Sequence, residues 1–316
     1  MLCARRGRRG TVNLGGCEVN TRALYGAIEA GGTKFVCAAG YGPREIAPEM
    51  RKVIPTTHPA ETLAAVVAFF EHVSASAGAF SALGVGAFGP VDVEPTSGTW
   101  GSILNTPKPG WAGTSLVAPL QRFGCPVALD TDVSAAALAE ARLGAGQDAH
   151  SLTYVTVGTG IGGGVIDQGR SIRGMLHPEM GHIRVRRDPR DAPFPGVCPF
   201  HGDCLEGLAS GPAIVARWGV PMSALPGGHA GPDIIGGYLG QLAATIALMY
   251  ASERIVFGGG VMSGADLLPR IRAVAAEQLG GYLPIEARAG GFERLIVAPA
   301  LADQAGITGA MLLAMG

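Results

Sequence analysis

From residue 24 the chain alternates short apolar runs with glycine-rich turns and longer amphipathic stretches, a pattern that predicts an α/β protein. Residues 24–30 read as a buried strand, Gly31-Gly32-Thr33-Lys34 as a tight turn and 35–39 as the returning strand, together a β-hairpin. A helix is predicted from about Pro59, with His58 or Thr57 as its cap. Leu63, Val66, Val67, Phe70 and Val73 then recur at helical spacing. Residues 83–88 predict another buried strand, 95–113 a loop, 127–129 a short strand and 133–143 an Ala-rich helix. The hairpin pattern returns as 152–157, Gly158-Thr159-Gly160 and 161–166. After an irregular stretch over 177–207, helices are predicted at 212–218 and 234–251 and strands at 254–257 and 295–297. A last helix is predicted at 306–315. Two equivalent strand–turn–strand units imply two similar domains facing a cleft.

Composition narrows the class. Hydrophobic residues are 47% of the 316 and charged residues 16%, which excludes global disorder. The net charge is -1, so no overall positive field draws the chain to nucleic acid. No apolar run approaches the roughly 20 residues of a membrane span, and no membrane partner is expected. Six cysteines are too few for a disulfide scaffold, so a reducing, cytoplasmic setting is expected. The stretch 1–23, with Arg5, Arg6, Arg8 and Arg9, reads as a disordered or basic extension without a secretory hydrophobic core.

The turns carry the first chemistry. Glycines at a hairpin bend let several backbone N–H groups point at one spot, which attracts phosphate oxygens. Gly31, Gly32, Thr33 and Lys34 form one such bend, to which Thr33 and Lys34 add a hydroxyl and an ammonium. Gly158, Thr159 and Gly160 form the second, and Gly258, Gly259 and Gly260 follow a third strand. Any one of these alone is more often a plain turn, but their repetition predicts a nucleotide site. Cys198, His201 and Cys204 stand at i, i+3 and i+6, spacing that lets all three converge on one ion. His182 is the nearest fourth donor, and His177 competes with it. A closed set of this kind predicts structural zinc. Asp130-Thr131-Asp132 places two carboxylates at a strand-to-helix junction, either one a base or a helix cap. Asn105, Glu179, His182 and Glu206 are polar candidates for sugar hydroxyls.

These residues match a known family. The stretches are Ile28-Glu29-Ala30-Gly31-Gly32-Thr33-Lys34, Leu104-Asn105-Thr106-Pro107-Lys108-Pro109-Gly110-Trp111 and Asp130-Thr131-Asp132-Val133, then residues 158–164 and His177-Pro178-Glu179-Met180-Gly181-His182. Residues 198–207, Gly211-Pro212 and Gly258-Gly259-Gly260-Val261-Met262 complete the set. The chain resembles the ROK family of sugar kinases, most closely the bacterial fructokinase branch, from about residue 26 to the C-terminus. Glu29, where other relatives usually carry Asp, and the His plus Cys-x-x-His-x-x-Cys set are the branch-specific marks.

The resemblance implies a two-domain actin-like ATPase (RNase-H-like) fold with a cleft between the domains and a zinc-bound loop. Residues 24–132 would form the N-terminal domain, with a helix at about 303–316 packing back on it. Residues 133–302 would form the C-terminal domain, carrying the zinc loop 182–207. Asp132 is then the catalytic base, the first two bends cradle the phosphates, and Gly258, Gly259 and Gly260 approach the adenosine. Asn105, Asp132, Glu179, His182 and Glu206 line the sugar, and His182, Cys198, His201 and Cys204 hold zinc. ATP, Mg²⁺ and structural Zn²⁺ are the implied cofactors and fructose the implied hexose, with a homodimer as the expected assembly. Glucose, mannose or N-acetylmannosamine are alternative substrates. A sugar-responsive repressor is the alternative of another class, disfavoured because the roughly 22 residues before the first strand, without helical periodicity, leave no room for a DNA-binding module. Ser134 departs from the Asn common in the family.

Overall fold

The computed structural model describes residues 22–316, so the extension expected over 1–23 lies almost wholly outside the described residues. The N-terminal half runs β1 (Leu24–Ala30), β2 (Lys34–Gly40), β3 (Arg51–Pro55), α1 (Pro59–Ala77), β4 (Phe80–Ala87) and β5 (Val127–Thr131). Its sheet has the order β3-β2-β1-β4-β5: β1 to β3 form an antiparallel meander, and β4 and β5 join β1 in parallel. α1 lays Val66, Phe69, Phe70 and Val73 against this sheet, where Phe70 meets Phe69, Phe80 and Phe123 edge-on. His58 stands at the cap of α1 but makes no side-chain bond there. Instead the Thr62 hydroxyl accepts the Thr57 amide at 3.0 Å.

The second half runs α2 (Asp132–Leu143), β6 (Ser151–Val157), β7 (Ile161–Asp167), β8 (Arg170–Ser171), α3 (Leu205–Ala209), α4 (Gly211–Trp218) and α5 (Gly231–Tyr250). It continues through β9 (Arg254–Gly258), α6 (Gly260–Ser263), α7 (Leu268–Leu279), α8 (Ile285–Ala289), α9 (Phe292–Leu295), β10 (Ile296–Val297) and α10 (Ala305–Met315). Its sheet order, β8-β7-β6-β9-β10, repeats the first sheet strand for strand, with the same antiparallel meander and two parallel additions. One topology has been built twice. α5 and α7 cover the second sheet, and glycine lets them approach: a Cβ on Gly240 would lie 2.6 Å from the Val274 Cβ.

α2 and α10 tie the halves together. α10 returns from the C-terminus onto β1 and β4, burying Ile307, Ala310 and Met311 against Ala27, Val36 and Ala38. α2 packs on β7, where Gly164 admits it: a Cβ there would meet the Ser134 amide nitrogen at 2.6 Å.

β3 and α7 are elements that hydrophobic patterning did not predict. β3 is an edge strand reading Arg-Lys-Val-Ile-Pro with only Ile54 buried, so it carries charge and Pro where an edge needs them and little apolar signal. α7 hides its stripe of Ile271, Val274, Ala275 and Leu279 among charged neighbours.

Candidate active site

The junction Asp130-Thr131-Asp132 sorts itself by hydrogen bonding. Thr131 takes the helix cap, its hydroxyl accepting the Ser134 amide at 3.0 Å. Asp130 is 2% exposed and faces Arg173, 3.4 Å away. Among the described residues, the Asp132 carboxylate meets backbone amides alone, that of Val133 at 2.8 Å and its own. Of the two carboxylates it is therefore the one available for chemistry. Its carboxyl lies on the floor of a cavity of about 910 Å³ between the halves. Burial, and then the carboxylates of Glu29 and Glu179, push Asp132 up to about 7.

Glu29, at the end of β1, lines the same cavity, as do Tyr154 and Asp303. Burial raises Glu29 too, against the pull of Lys34 and Arg51. Gly306 exists to admit it: a Cβ there would lie 2.5 Å from the Glu29 carboxyl. Sequence reading placed Glu29 in a motif without giving it a role. Tyr154 and Asp303 carried no local signal, because only the packing of β6 and of the α10 approach brings them here.

Gly258, Gly259 and Gly260 line the cavity. Gly259 has φ +94, and a Cβ there would lie 2.6 Å from the Val157 amide nitrogen, so glycine is required at this close approach. The bends at Gly31–Lys34 and Gly158–Gly160 lie outside the cavity lining itself. The first is closed by the Gly31 amide to the Lys34 carbonyl at 3.0 Å, with Thr33 and Lys34 exposed. In the second, the Gly158 carbonyl accepts the Gly211 amide at 2.7 Å, fastening the bend to α4.

Glu206 reaches the second bend directly. Its Oε2 accepts the Ile161 amide at 2.9 Å, and a Cβ on Gly160 would lie 2.7 Å from that oxygen. Glu179 is pushed up to about 7 by burial and by the charge of Glu206. Glu29, Asp132, Glu179 and Glu206 thus form a run of carboxylates that act on one another. Asn105 is exposed in the loop before Trp111, and no side-chain partner is described for it.

His182, Cys198, His201 and Cys204 come together with all their ligand atoms within 4.8 Å of one another. The knuckle that aims them is closed by reciprocal backbone bonds between Cys198 and Gly202, at 3.1 and 2.9 Å. The Cys204 Sγ lies 3.5 Å from His182 Nδ1, and the Cys198 Sγ lies 3.8 Å from His182 Nδ1 and 3.6 Å from His201 Nδ1. Tetrahedral zinc with Zn–S about 2.3 Å and Zn–N about 2.0 Å needs sulfur–nitrogen edges of about 3.5 Å. Donor types and spacing both fit that ion. Burial first, and then Cys198 beside it, raise the Cys204 thiol. His177, the competing donor, is directed elsewhere: its Nε2 accepts the Val91 amide at 3.3 Å. Asp191 pins the loop to the core, accepting from Tyr238 Oη at 2.7 Å and pairing with Arg217 at 2.8 Å.

Duplicated sheets closing on a carboxylate-floored cleft define the actin-like ATPase class. The ROK family model matches residues 25–316, and the chain belongs to that family. By sequence identity it falls in the fructokinase branch. It is 45% identical over 300 residues to the fructokinase of Zymomonas mobilis, covering 94% of this chain and 98% of that protein. It is 40% identical over 288 residues to the fructokinase of Streptococcus mutans, covering 90% and 94%. Among solved structures it is similar to a ROK hexokinase from Thermus thermophilus (TM-score 0.73, 27% identity, 92% of this chain and 98% of that one). It is also similar to a ROK family glucokinase from Streptomyces griseus solved with glucose and AMPPNP (TM-score 0.72, 26% identity, 93% and 99%).

Proposed function

We propose that the protein is an ATP-dependent fructokinase, transferring the γ-phosphoryl group of ATP to the 6-hydroxyl of D-fructose. The observation that carries this reading is the state of Asp132: released from capping by Thr131, at the floor of the interdomain cavity, in a chain 39–45% identical to several curated fructokinases. In this reading Asp132 accepts the hydroxyl proton as the sugar oxygen attacks phosphorus and the bond to the ADP oxygen breaks. Asn105, Glu179, His182 and Glu206 hold the sugar. The bends Gly31–Lys34 and Gly158–Gly160 receive the phosphates, through the Gly32 and Gly160 amides with Thr33, Thr159 and Lys34, while the Gly31 and Gly158 amides close the bends themselves, and Gly258, Gly259 and Gly260 flank the adenosine. Glu206 serves both sides, because the carboxylate assigned to the sugar also holds the Ile161 amide behind the second bend.

The cavity wall of Glu29, Asp132 and Asp303 offers the oxygen donors that suit a Mg²⁺–nucleotide, whose metal would neutralise phosphate charge. His182, Cys198, His201 and Cys204 would hold zinc as a structural cross-link that fixes the loop bearing Glu206 and the approach to it that carries Glu179, with no open position for chemistry. We assign the two lobes to 24–132 with 303–316, and to 133–302 with the zinc loop 182–207. The deciding experiment is coupled ATP turnover on a panel of fructose, glucose, mannose and N-acetylmannosamine. Fructose is expected to give the highest kcat/KM, and turnover favouring glucose would replace this reading with a glucokinase.

A further inference from the structure

The segment that leads into the metal ligands belongs to the second half but is fastened to the first. Arg173 Nη1 donates to the Val93 carbonyl at 2.9 Å, and Nη2 lies 3.4 Å from Asp130. Four residues later His177 is only 7% exposed, although its neighbourhood is a polar loop. Its Nε2 accepts the backbone N–H of Val91, a residue 0% exposed. An accepting Nε2 carries no proton, so in the neutral ring the proton sits on Nδ1. Burial holds His177 below the ordinary histidine range, which keeps the ring in this neutral form. Nδ1 faces Glu179, 3.5 Å from Oε1, with the Pro178 carbonyl beside it.

Two further observations make this more than gap-filling. Among the described hydrogen bonds and ion pairs, the Glu179 carboxylate has no other partner, and its charged neighbour Glu206 repels it. Gly89 gives the ring its place: a Cβ there would lie 3.2 Å from His177 Cε1 and 3.7 Å from Glu179 Oε1. A packed histidine needs no polar group at these two points, yet Nε2 accepts a backbone N–H and Nδ1 stands within ion-pair distance of a carboxylate.

We infer that His177 is a positioning residue of the sugar site, linking the Val91 amide of one half to the Glu179 carboxylate of the other and fixing which Glu179 oxygen faces the hexose. Sugar affinity then depends on how the two halves are set against each other. The inference rests on the reading of Glu179 as a sugar ligand, and its test must separate the two.

The test is steady-state kinetics on the full chain with fructose and ATP varied independently. H177F fills the ring's space and loses both nitrogens. It is expected to raise the fructose KM about 10-fold, the order of one lost polar contact to a carboxylate, with kcat and the ATP KM within about twofold. E179A is expected to raise the fructose KM by itself, and H177F added to E179A is expected to bring no further rise. An E179A enzyme with an unchanged fructose KM would overturn the sugar-ligand reading, and the inference with it. An E179A effect that H177F multiplies in full, or an H177F enzyme with wild-type fructose KM, would overturn the inference alone. Should H177F not fold, H177N and H177L serve. The two side chains are nearly the same shape and only Asn can donate from the Nδ1 position, so Asn should bind fructose better than Leu. Equal KM values in that pair would refute the role.

Discussion

Gly309 of α10 lies against Ala135 of α2 with no side chain between them: a Cβ at Gly309 would collide with the Ala135 carbonyl. This is backbone against backbone, at the crossing where the two halves join. Side chains can turn aside, but a carbonyl inside a helix cannot. Gly309→Ala is therefore expected to destabilise the fold by about 1–3 kcal/mol, the usual cost of overpacking. Thermal unfolding checks it. A midpoint equal to wild type would mean that α2 and α10 separate without cost.

Asp132→Asn removes the proposed base and keeps its shape. Loss of a general base typically costs about 10²–10⁴-fold in rate, so kcat should fall by that order while metal content is retained. Retention of full turnover would remove Asp132 from the mechanism.

The same residue sets a pH signature in stability. Its carboxyl titrates near 7 in the folded state, against an ordinary value of 3.8. Between those values the folded protein keeps a proton that the unfolded chain has lost, so stability from this group is full at low pH and is lost as pH rises through 7. Asn never ionises. The melting temperature of D132N relative to wild type should therefore rise from pH 5 to pH 8 in ligand-free protein. A constant difference across that range would show that Asp132 is not held protonated.

For the metal, elemental analysis of protein purified without chelator should find about one zinc per chain, and C204S should lose most of it. Removing one of four ligands also loosens the part of the loop beyond the Asp191 anchor, because Pro195, Val197 and Phe200 there are exposed. Faster limited proteolysis within that loop is the second expected readout. Zinc content well below a tenth of an equivalent in the wild type would end the assignment.

Glu140 is fully buried on α2 and accepts three backbone amides: Ala145 at 2.7 Å, Ala300 at 3.1 Å and Leu301 at 2.8 Å. It holds the approach to α10 against the end of α2. Glu140→Ala strands these donors, at about 1–3 kcal/mol for a buried unmade bond. A clear drop in denaturant midpoint is expected, with kcat/KM falling further because Asp303 and Gly306 follow the released segment. An unchanged denaturant midpoint would count against the latch.

Much of this was legible in the residues because local pattern and tertiary role coincide. The duplicated strand–bend–strand units announced two similar sheets, and the cysteine–histidine spacing announced the convergence of four candidate metal ligands. Choosing Asp132 over Asp130 was not possible from composition, since the choice depends on Thr131 capping α2 and on Arg173 arriving from forty-three positions away. The same limit hid Tyr154, Asp303 and His177. Each is an ordinary residue in its own segment and acquires its surroundings only from the crossing of distant elements. His177 in particular looked like a rival metal donor until Val91, eighty-six positions earlier, turned out to occupy its Nε2.

The return of α10 to β1 and β4 also orders events during synthesis. The strands of the first sheet leave the ribosome early, but the face formed by Ala27, Val36 and Ala38 stays uncovered until Ile307, Ala310 and Met311 emerge. The lobe made first is thus completed last. While translation continues, its bare sheet face is the surface a chaperone would be expected to hold.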